Sequence, residues 1–246
     1  MLTKRTVLTT LLLGASVVIP TPSLGAAAQD ATPAAYSCET VETTGGAGTP
    51  AAAMGDMAGM DTGTPMAGMD QMAMELDQVY IDMMIPHHAG IIGLAEAALP
   101  RLQDERLQEI AQNIIDVQSA EIEELRGYRE QFYGDPEPMP MDEVMMGTMM
   151  EMMPGMSGTM EEMAFQMDPA AQAAAICAAE DTDLAFIEMT IAHHQMAIEG
   201  SEPVVVGAAH EEIRAFAQRV IDDQQREIGE LESIRADLTG DGTPSA

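Results

Sequence analysis

Two pairs of adjacent histidines are the residues of this sequence best suited to chemistry. On a helix, residues four apart share a face, so a methionine one turn away can lie beside an imidazole ring. Thioether sulfur selects monovalent copper, and imidazole accepts either copper oxidation state. Four of the five histidines occur in these matched pairs, which favours ligands over ordinary core histidines. We therefore predict eight metal ligands: His87, His88, His193, His194, Met83, Met84, Met189 and Met196.

Several polar residues accompany the histidine pairs. A carboxylate precedes each pair by five residues, and a glutamine interrupts the apolar stripe of each following helix, with a glutamate one turn later. Buried polar groups need partners, and the imidazoles are candidates. The alternative, in which these residues mark a packing register or a solvated edge, stays open. Six residues are thus predicted as weaker ligands or as partners of the histidines: Asp82, Glu188, Gln118, Glu121, Gln224 and Glu227.

Methionine is abundant elsewhere, with 24 in the chain against no tryptophan. Residues 139–167 hold twelve of them, and those from Met149 to Met167 include a set at helical spacings of three and four. This set predicts either metal capture or a packing seam, on a helix that begins near Met156. Nearer the N-terminus, two sets of three methionines, each spaced by three residues, lie among Gly, Pro and Asp, which indicates loose capture of a soft cation: Met54, Met57 and Met60, then Met66, Met69 and Met72.

The chain contains an internal repeat. Residues 80–129 align without a gap with residues 186–235, and 18 of the 50 aligned positions are identical. Each copy predicts a helical hairpin, with a first helix that carries the histidine pair, a break near Pro100 or within 203–207, and a longer amphipathic helix. One hairpin cannot cover its own apolar face, but two can close a bundle. The predicted fold class is all-α, a four-helix bundle of two duplicated hairpins.

Composition divides the chain into six segments. Two cations, a short apolar run and small residues open the sequence in the order of a cleavable export signal. Gly, Pro, Ala and Thr dominate the following stretch, which lacks hydrophobic periodicity. We predict a signal peptide at 1–28, a flexible arm at 29–73, the first hairpin at 74–132, a Met-rich and partly helical linker at 133–168, the second hairpin at 169–238 and a flexible tail at 239–246.

Charge and cysteine content restrict the partners and the compartment. The net charge of −31 repels nucleic acid and anionic lipid but attracts cations. No apolar stretch approaches the length of a membrane span, so we expect no stable membrane insertion. The two cysteines, Cys38 and Cys177, form either one disulfide in an oxidising compartment or two free thiols. We expect an exported protein in the periplasm, the cell envelope or the medium.

The strings MIPHHAGIIGLAE and MTIAHHQMAIEGSE, each followed by a helix that ends in Gln-x-x-Glu-Ile, resemble the two halves of the family named domain of unknown function 305. That family includes CopM-like copper-binding proteins. The resemblance covers roughly residues 75–132 and 180–238. It implies a ferritin-like four-helix bundle, an exported location, and copper binding by the histidines and methionines of the two motifs.

The expected function is capture, buffering or delivery of copper, mainly monovalent, with silver as an alternative cargo. A membrane copper transporter or another copper protein is the expected partner. One rival is a di-iron oxidase, which needs Glu-x-x-His on paired helices. No glutamate lies three residues before any paired histidine, so we do not expect an enzyme. A second rival is a Met-rich docking protein for a membrane transporter.

Overall fold

The computed structural model describes residues 36–43 and 65–240, with the side chains of 36–40 and 75–240. The described chain is helical and contains no strand. The predicted signal segment, Met54, Met57 and Met60 lie outside these ranges. The described helices are α1 (Cys38–Thr43), α2 (Pro65–Ala98), α3 (Glu105–Tyr133), α4 (Glu143–Met152), α5 (Met160–Gln166), α6 (Pro169–Cys177), α7 (Thr182–Gly207) and α8 (Glu211–Thr239).

Four long helices form the bundle. Hairpin α2–α3 packs against hairpin α7–α8 through α2 and α7. One core cluster contains Met83, Met84 and Phe216, and a second contains Leu107 and Phe186. Burial of these apolar stripes is the main stabilising contribution, since most helical stability in proteins comes from the packing of an apolar helix face. The predicted all-α bundle of two hairpins is confirmed.

Reciprocal side-chain contacts hold each hairpin loop. Asp183 on α7 accepts hydrogen bonds from the backbone N–H groups of Gln103 and Asp104, at 2.8 and 3.0 Å. Asp77, its counterpart on α2, accepts from Ala209 and His210 at 2.8 and 2.9 Å. Backbone N–H groups at the start of a helix have no acceptor within the helix, and these two carboxylates supply one. Each hairpin therefore fixes the turn of the other, which sets the axial position of the histidine pairs.

The linker between the hairpins contains two short helices. Asp142 caps α4 by accepting hydrogen bonds from the N–H groups of Val144 and Met145. Thr159 and Glu162 form a reciprocal capping box at the start of α5. The prediction of a helix from about Met156 was therefore wrong, because the capping box starts the helix at Met160. Both helices pack on α2.

Helical structure also occurs within the segment predicted to be a flexible arm. Both α1 and the first residues of α2, from Pro65, fall inside the range 29–73. Proline suits the first turn of a helix, and the alanines and methionines that follow favour helix. Three methionines of the arm therefore lie on α2, although their side chains are outside the described part: Met66, Met69 and Met72.

A disulfide joins α1 to α6, between Cys38 and Cys177. Helix α6 begins with Pro169 after the N-cap Asp168, and it packs against α2. The backbone N–H of Tyr36 also donates to Glu96 of α2 at 2.8 Å. Tyr36 and Cys38 thus attach α1 to the bundle. Among the helices described, none has the length and apolar character needed to cross a membrane.

Candidate metal centre

The two histidine pairs meet at the centre of the bundle. The rings of His87 on α2 and His193 on α7 are in contact, with centroids 3.7 Å apart and ring planes tilted by 41°. Within each pair the two rings diverge, with centroids 6.3 Å apart. All four side chains have no exposed surface. Neighbouring helical residues point about 100° apart, so His87 and His193 face the linker side of α2 and α7, whereas His88 and His194 face α3 and α8.

The linker reaches the first of these faces through its backbone. His193 Nε2 lies 3.1 Å from the carbonyl oxygen of Gln166, at the end of α5. This approach requires Gly90, since a Cβ there would lie 2.0 Å from that same oxygen. The bond assigns the proton of His193 to Nε2, because a carbonyl only accepts. His193 Nδ1 and both ring nitrogens of His87 have no hydrogen-bond partner among the described atoms.

Thioethers surround the same face one turn closer to the N-terminus of α2. A Cβ placed at Gly200 of α7 would lie 3.0 Å from Met83 Cε, 3.5 Å from Met156 Sδ and 3.8 Å from Met153 Sδ. Three methionines therefore converge on the space that this glycine leaves open. Met83 is also one helical turn from His87, so sulfur and imidazole nitrogen share one face of α2.

The remaining predicted methionines differ in position. Met84 and Met196 are buried in the same core cluster as Met83. Met189 is partly buried and packs against the other cluster, which contains Phe186. The counterpart of Met84 is Thr190, a buried residue whose hydroxyl has no partner in the described structure. The thioethers are consequently distributed unequally between the two halves of the repeat.

The second face of α2 and α7 carries carboxylates. His88 Nε2 lies 2.9 Å from Glu121 Oε2 on α3, but the two groups are not aligned for a hydrogen bond. At the repeated position, His194 Nε2 donates to Glu227 Oε2 on α8 at 2.5 Å. The structure therefore brings together the histidines and glutamates that the repeat singled out.

Between α3 and α8 an open cleft leads to these carboxylates. Its inner part has a volume of about 200 Å³ and adjoins a larger part of about 770 Å³, which continues along the groove toward the start of α3 and the end of α8. Gln118 and Gln224 line the inner part, and each has a buried Oε1 atom with no partner in the described chain. We call this region the α3–α8 cleft, and its inner part is lined by Asn113, Ile114, Val117, Gln118, Glu121, Val220, Asp223, Gln224, Arg226 and Glu227.

Two predicted carboxylates form ion pairs with arginine instead of joining the imidazoles. Buried Asp82 accepts from Arg129 Nε at 2.6 Å, although Asp82 was predicted as a ligand or a partner of the histidines. Exposed Glu188 pairs with Arg235 at 2.9 Å, at the equivalent position of the repeat. Pairing with arginine satisfies both charges, so the two carboxylates serve to join the helices of each hairpin.

Burial keeps the imidazoles of His87 and His193 neutral. It lowers the pKa of His87 well below its ordinary value, and the nearby rings of His193, His88 and His194 lower it further. Burial also lowers the pKa of His193, with smaller contributions from His194 and His88, against an opposing hydrogen bond to Gln166. A neutral imidazole has a free lone pair, which a metal ion needs.

Some residues of the centre gave no signal in the sequence. The carbonyl of Gln166 is a backbone group, and Gly90 and Gly200 appear in the sequence only as glycines inside helices, which does not tell what approaches them. Within the described residues, no three His, Cys, Asp or Glu side chains are grouped closely enough to hold an ion. A metal at this centre would therefore need thioether, amide or water ligands as well.

Comparisons with known proteins agree with this architecture. The profile of the family described as "Domain of unknown function (DUF305)" matches residues 26–129 and 77–235. No curated protein matches the chain. The solved structure of CopM in the Cu(II)-bound form is 26% identical, with a TM-score of 0.50, and the match covers 66% of this chain and 97% of that one.

Two further CopM structures match to the same degree. The Cu(I)-bound form is 25% identical, with a TM-score of 0.50, covering 66% of this chain and 96% of that one. The silver-bound form obtained by co-crystallization is 27% identical, with a TM-score of 0.50, covering 65% and 96%. The shared region is large enough to contain both hairpins.

Proposed function

Because this chain belongs to the DUF305 family, we propose that it is an exported copper-binding protein that captures mainly monovalent copper at its buried histidine–methionine centre. Structures of CopM with Cu(I), Cu(II) and silver support a copper-group ion as the cargo. The expected ligands are the eight histidines and methionines of the two motifs. Of these, His87, His193 and Met83 have the most favourable surroundings.

The observation that carries this proposal is the set of unpartnered ring nitrogens at the bundle centre. Both nitrogens of His87 and the Nδ1 atoms of His193 and His194 are buried without a hydrogen bond in the described structure. Leaving a buried polar atom without a partner costs about 1–3 kcal/mol. A bound ion would remove that cost, which supports ligand roles over packing.

The chemistry of the linker-side face favours the monovalent ion. Met83, Met153 and Met156 surround Gly200, and thioethers bind Cu(I) far better than hard divalent ions. Neutral imidazoles complete the donor set without releasing protons. Burial excludes water, which protects a monovalent ion from oxidation and exchange. Silver, with the same preference for sulfur, is the natural second cargo.

The biological role that follows is control of free copper outside the cytoplasm. The strongly acidic chain would concentrate cations around it. The Met-rich arm and linker would collect the ion, and the buried centre would hold or release it to a membrane copper transporter or another copper protein. We propose no enzymatic step, since the sequence lacks the Glu-x-x-His spacing that a di-iron site needs at the paired histidines.

A competition titration of the full chain with Cu(I) tests this function. Ascorbate should serve as the reductant, because a thiol would attack the disulfide and also bind copper. A chromogenic Cu(I) chelator reports the affinity, and elemental analysis reports the stoichiometry. We expect the variant His87→Leu/His193→Leu to bind Cu(I) at least 100-fold more weakly than the unchanged protein does.

The fifth histidine provides the matched control. His210 stacks on Phe132 and pairs with Asp77, away from the other four. His210→Leu removes one imidazole and should leave the Cu(I) affinity within about twofold. Equal affinity in all three proteins, or recovery of iron instead of copper, would contradict the proposal. Circular dichroism should show the same helix content in each variant.

A further inference from the structure

We infer that the floor of the α3–α8 cleft is a second cation site, separate from the thioether-rich face, which takes Cu²⁺ through imidazole, carboxylate and amide donors. This inference rests on the proposed function, since it assigns different ions to the two faces of the same histidine pairs. One site would consist of His88, Glu121 and Gln118. Its repeat counterpart would consist of His194, Glu227 and Gln224.

The contact between His88 and Glu121 fits a metal better than a proton. Metal–nitrogen and metal–oxygen bonds of about 2.0–2.1 Å that meet at a right angle place the two donor atoms about 2.9 Å apart. His88 Nε2 and Glu121 Oε2 are 2.9 Å apart and are not aligned for a hydrogen bond. Right-angled nitrogen and oxygen donors are the preferred ligands of Cu²⁺.

The glutamines give independent evidence for a ligand. Gln118 is 4% exposed and Gln224 is 5% exposed, and the Oε1 atom of each lacks a partner in the described structure. Both residues line the inner part of the cleft. A buried acceptor without a donor is unfavourable. A cation on the cleft floor would satisfy these oxygens, whereas an acidic cluster alone would leave them unexplained.

The lining of the cleft selects a harder ion than the opposite face does. None of its lining residues carries sulfur, and oxygen donors predominate. The cleft is open to solvent, so water can complete the coordination that the three side chains begin. On the rim, Arg226 is occupied by Asp223 and Glu230, which leaves the glutamates on the floor to attract a cation.

The two halves of the cleft are not equivalent. Glu227 already accepts a hydrogen bond from His194, and Asn113 Nδ2 lies 3.5 Å from its other oxygen. A metal must displace the His194 proton, whereas His88 has no such bond to break. The first half should therefore bind Cu²⁺ more tightly than the second half.

Two probe ions distinguish this site from the proposed function. The metal-free full chain is titrated in air with copper(II) sulfate and separately with Ag⁺, which reports on the thioether face. Electron paramagnetic resonance of the unchanged protein with one equivalent of Cu²⁺ should show nitrogen and oxygen ligation with an imidazole nitrogen. Sulfur ligation, or no coordinated imidazole, would overturn the inference without any variant.

Isosteric variants then locate the site. Glu121→Gln/Glu227→Gln should weaken Cu²⁺ binding at least tenfold and leave Ag⁺ affinity within twofold. Glu121→Gln alone should weaken Cu²⁺ binding more than Glu227→Gln alone does. The control Glu124→Gln removes an equal charge from α3, where the carboxylate pairs with Arg219 outside the cleft floor, and should change neither affinity.

Each further outcome has one meaning. If the double variant retains its Cu²⁺ affinity within twofold, or loses Ag⁺ affinity in parallel, the cleft is not a separate site and the inference is overturned. If the unchanged protein binds Cu²⁺ as described but neither Ag⁺ nor Cu(I), the proposed function fails while the cleft site stands. Thermal unfolding of each variant verifies that the fold is retained.

Discussion

The two hairpins descend from one sequence, yet their first helices have different surroundings. Helices α4, α5 and α6 pack on α2, so that almost every residue of α2 from Leu76 to Ala98 is buried or half-buried. Helix α7 keeps exposed positions, among them Glu188 and Ala192. The same repeated position is therefore solvated in one copy and enclosed in the other. Where both copies face the bundle centre, as at the histidine pairs, the two copies have the same residues and bury them to the same extent.

This comparison supplies a matched control for many variants, because each residue of 80–129 has a counterpart 106 positions later, in 186–235. The largest difference should occur at the arginines that pair with Asp82 and Glu188. Arg129→Met would leave Asp82 buried without its partner, at a cost of about 3–5 kcal/mol in the free energy of unfolding. Arg235→Met breaks an exposed pair and should leave the unfolding midpoint nearly unchanged. Urea unfolding of both variants measures the difference, and equal losses would refute it.

A smaller effect should follow from closing the space through which the linker reaches His193. Gly90→Ala places a Cβ against the Gln166 carbonyl, so linker and helix must separate, at about 1–3 kcal/mol. The control is Gly127→Ala on α3, where nothing lies within 4 Å and alanine favours the helix. Hydrogen exchange of α5 should accelerate only in the first variant. Unchanged exchange there would show that the linker does not depend on this contact.

The pH dependence of the metal-free protein reports on the central imidazoles. Burial lowers the pKa values of His87 and His193 in the folded state, so below about pH 6.5 these two histidines bind protons in the unfolded chain but not in the folded chain. Stability should fall as pH decreases from 6.5 to 5, by up to about 1.4 kcal/mol per pH unit for each histidine. His87→Leu/His193→Leu should have a shallower slope in thermal unfolding. Parallel slopes would mean that other groups cause the pH dependence.

The smallest effect concerns one polar contact that the duplication did not keep. Tyr80 and Ser201 share a buried hydrogen bond of 2.8 Å, whereas their counterparts are Phe186 and Ala95. Ser201 Oγ donates to the carbonyl of Ala197 at 2.7 Å and therefore accepts from Tyr80. Ser201→Ala leaves the buried Tyr80 hydroxyl without its acceptor and should cost about 1 kcal/mol, and adding Tyr80→Phe should recover part of it. A double-mutant cycle from urea unfolding measures this coupling. Additive losses would show that the bond contributes little.

Much of this arrangement could be predicted from the repeat. Constant spacing identified the hairpins, and the identity of His88, Glu121 and their counterparts indicated polar groups that belong together. Helix periodicity cannot tell which neighbour each face will meet, so the division into a thioether face and a carboxylate face became visible only in the packed structure. The pairing of Asp82 with Arg129 depended on the same packing.

Contacts made by the linker were beyond prediction for another reason. The carbonyl of Gln166 that contacts His193 is a backbone group, so no side chain in the sequence indicates this contact. The Met-rich spacing indicated both packing and capture, and the structure gives several of these methionines buried positions, with Met153 and Met156 beside Gly200. Because thioethers serve both purposes with the same atoms, spacing alone could not separate them.

The bond between Cys38 and Cys177 has a topological consequence. It spans a sequence separation of 139 residues, and that closed loop includes the whole first hairpin and the Met-rich linker. A protease that cuts once inside this loop would produce two fragments that remain covalently joined. In an oxidising compartment, a nick in the linker would therefore leave both halves of the candidate metal centre on one molecule.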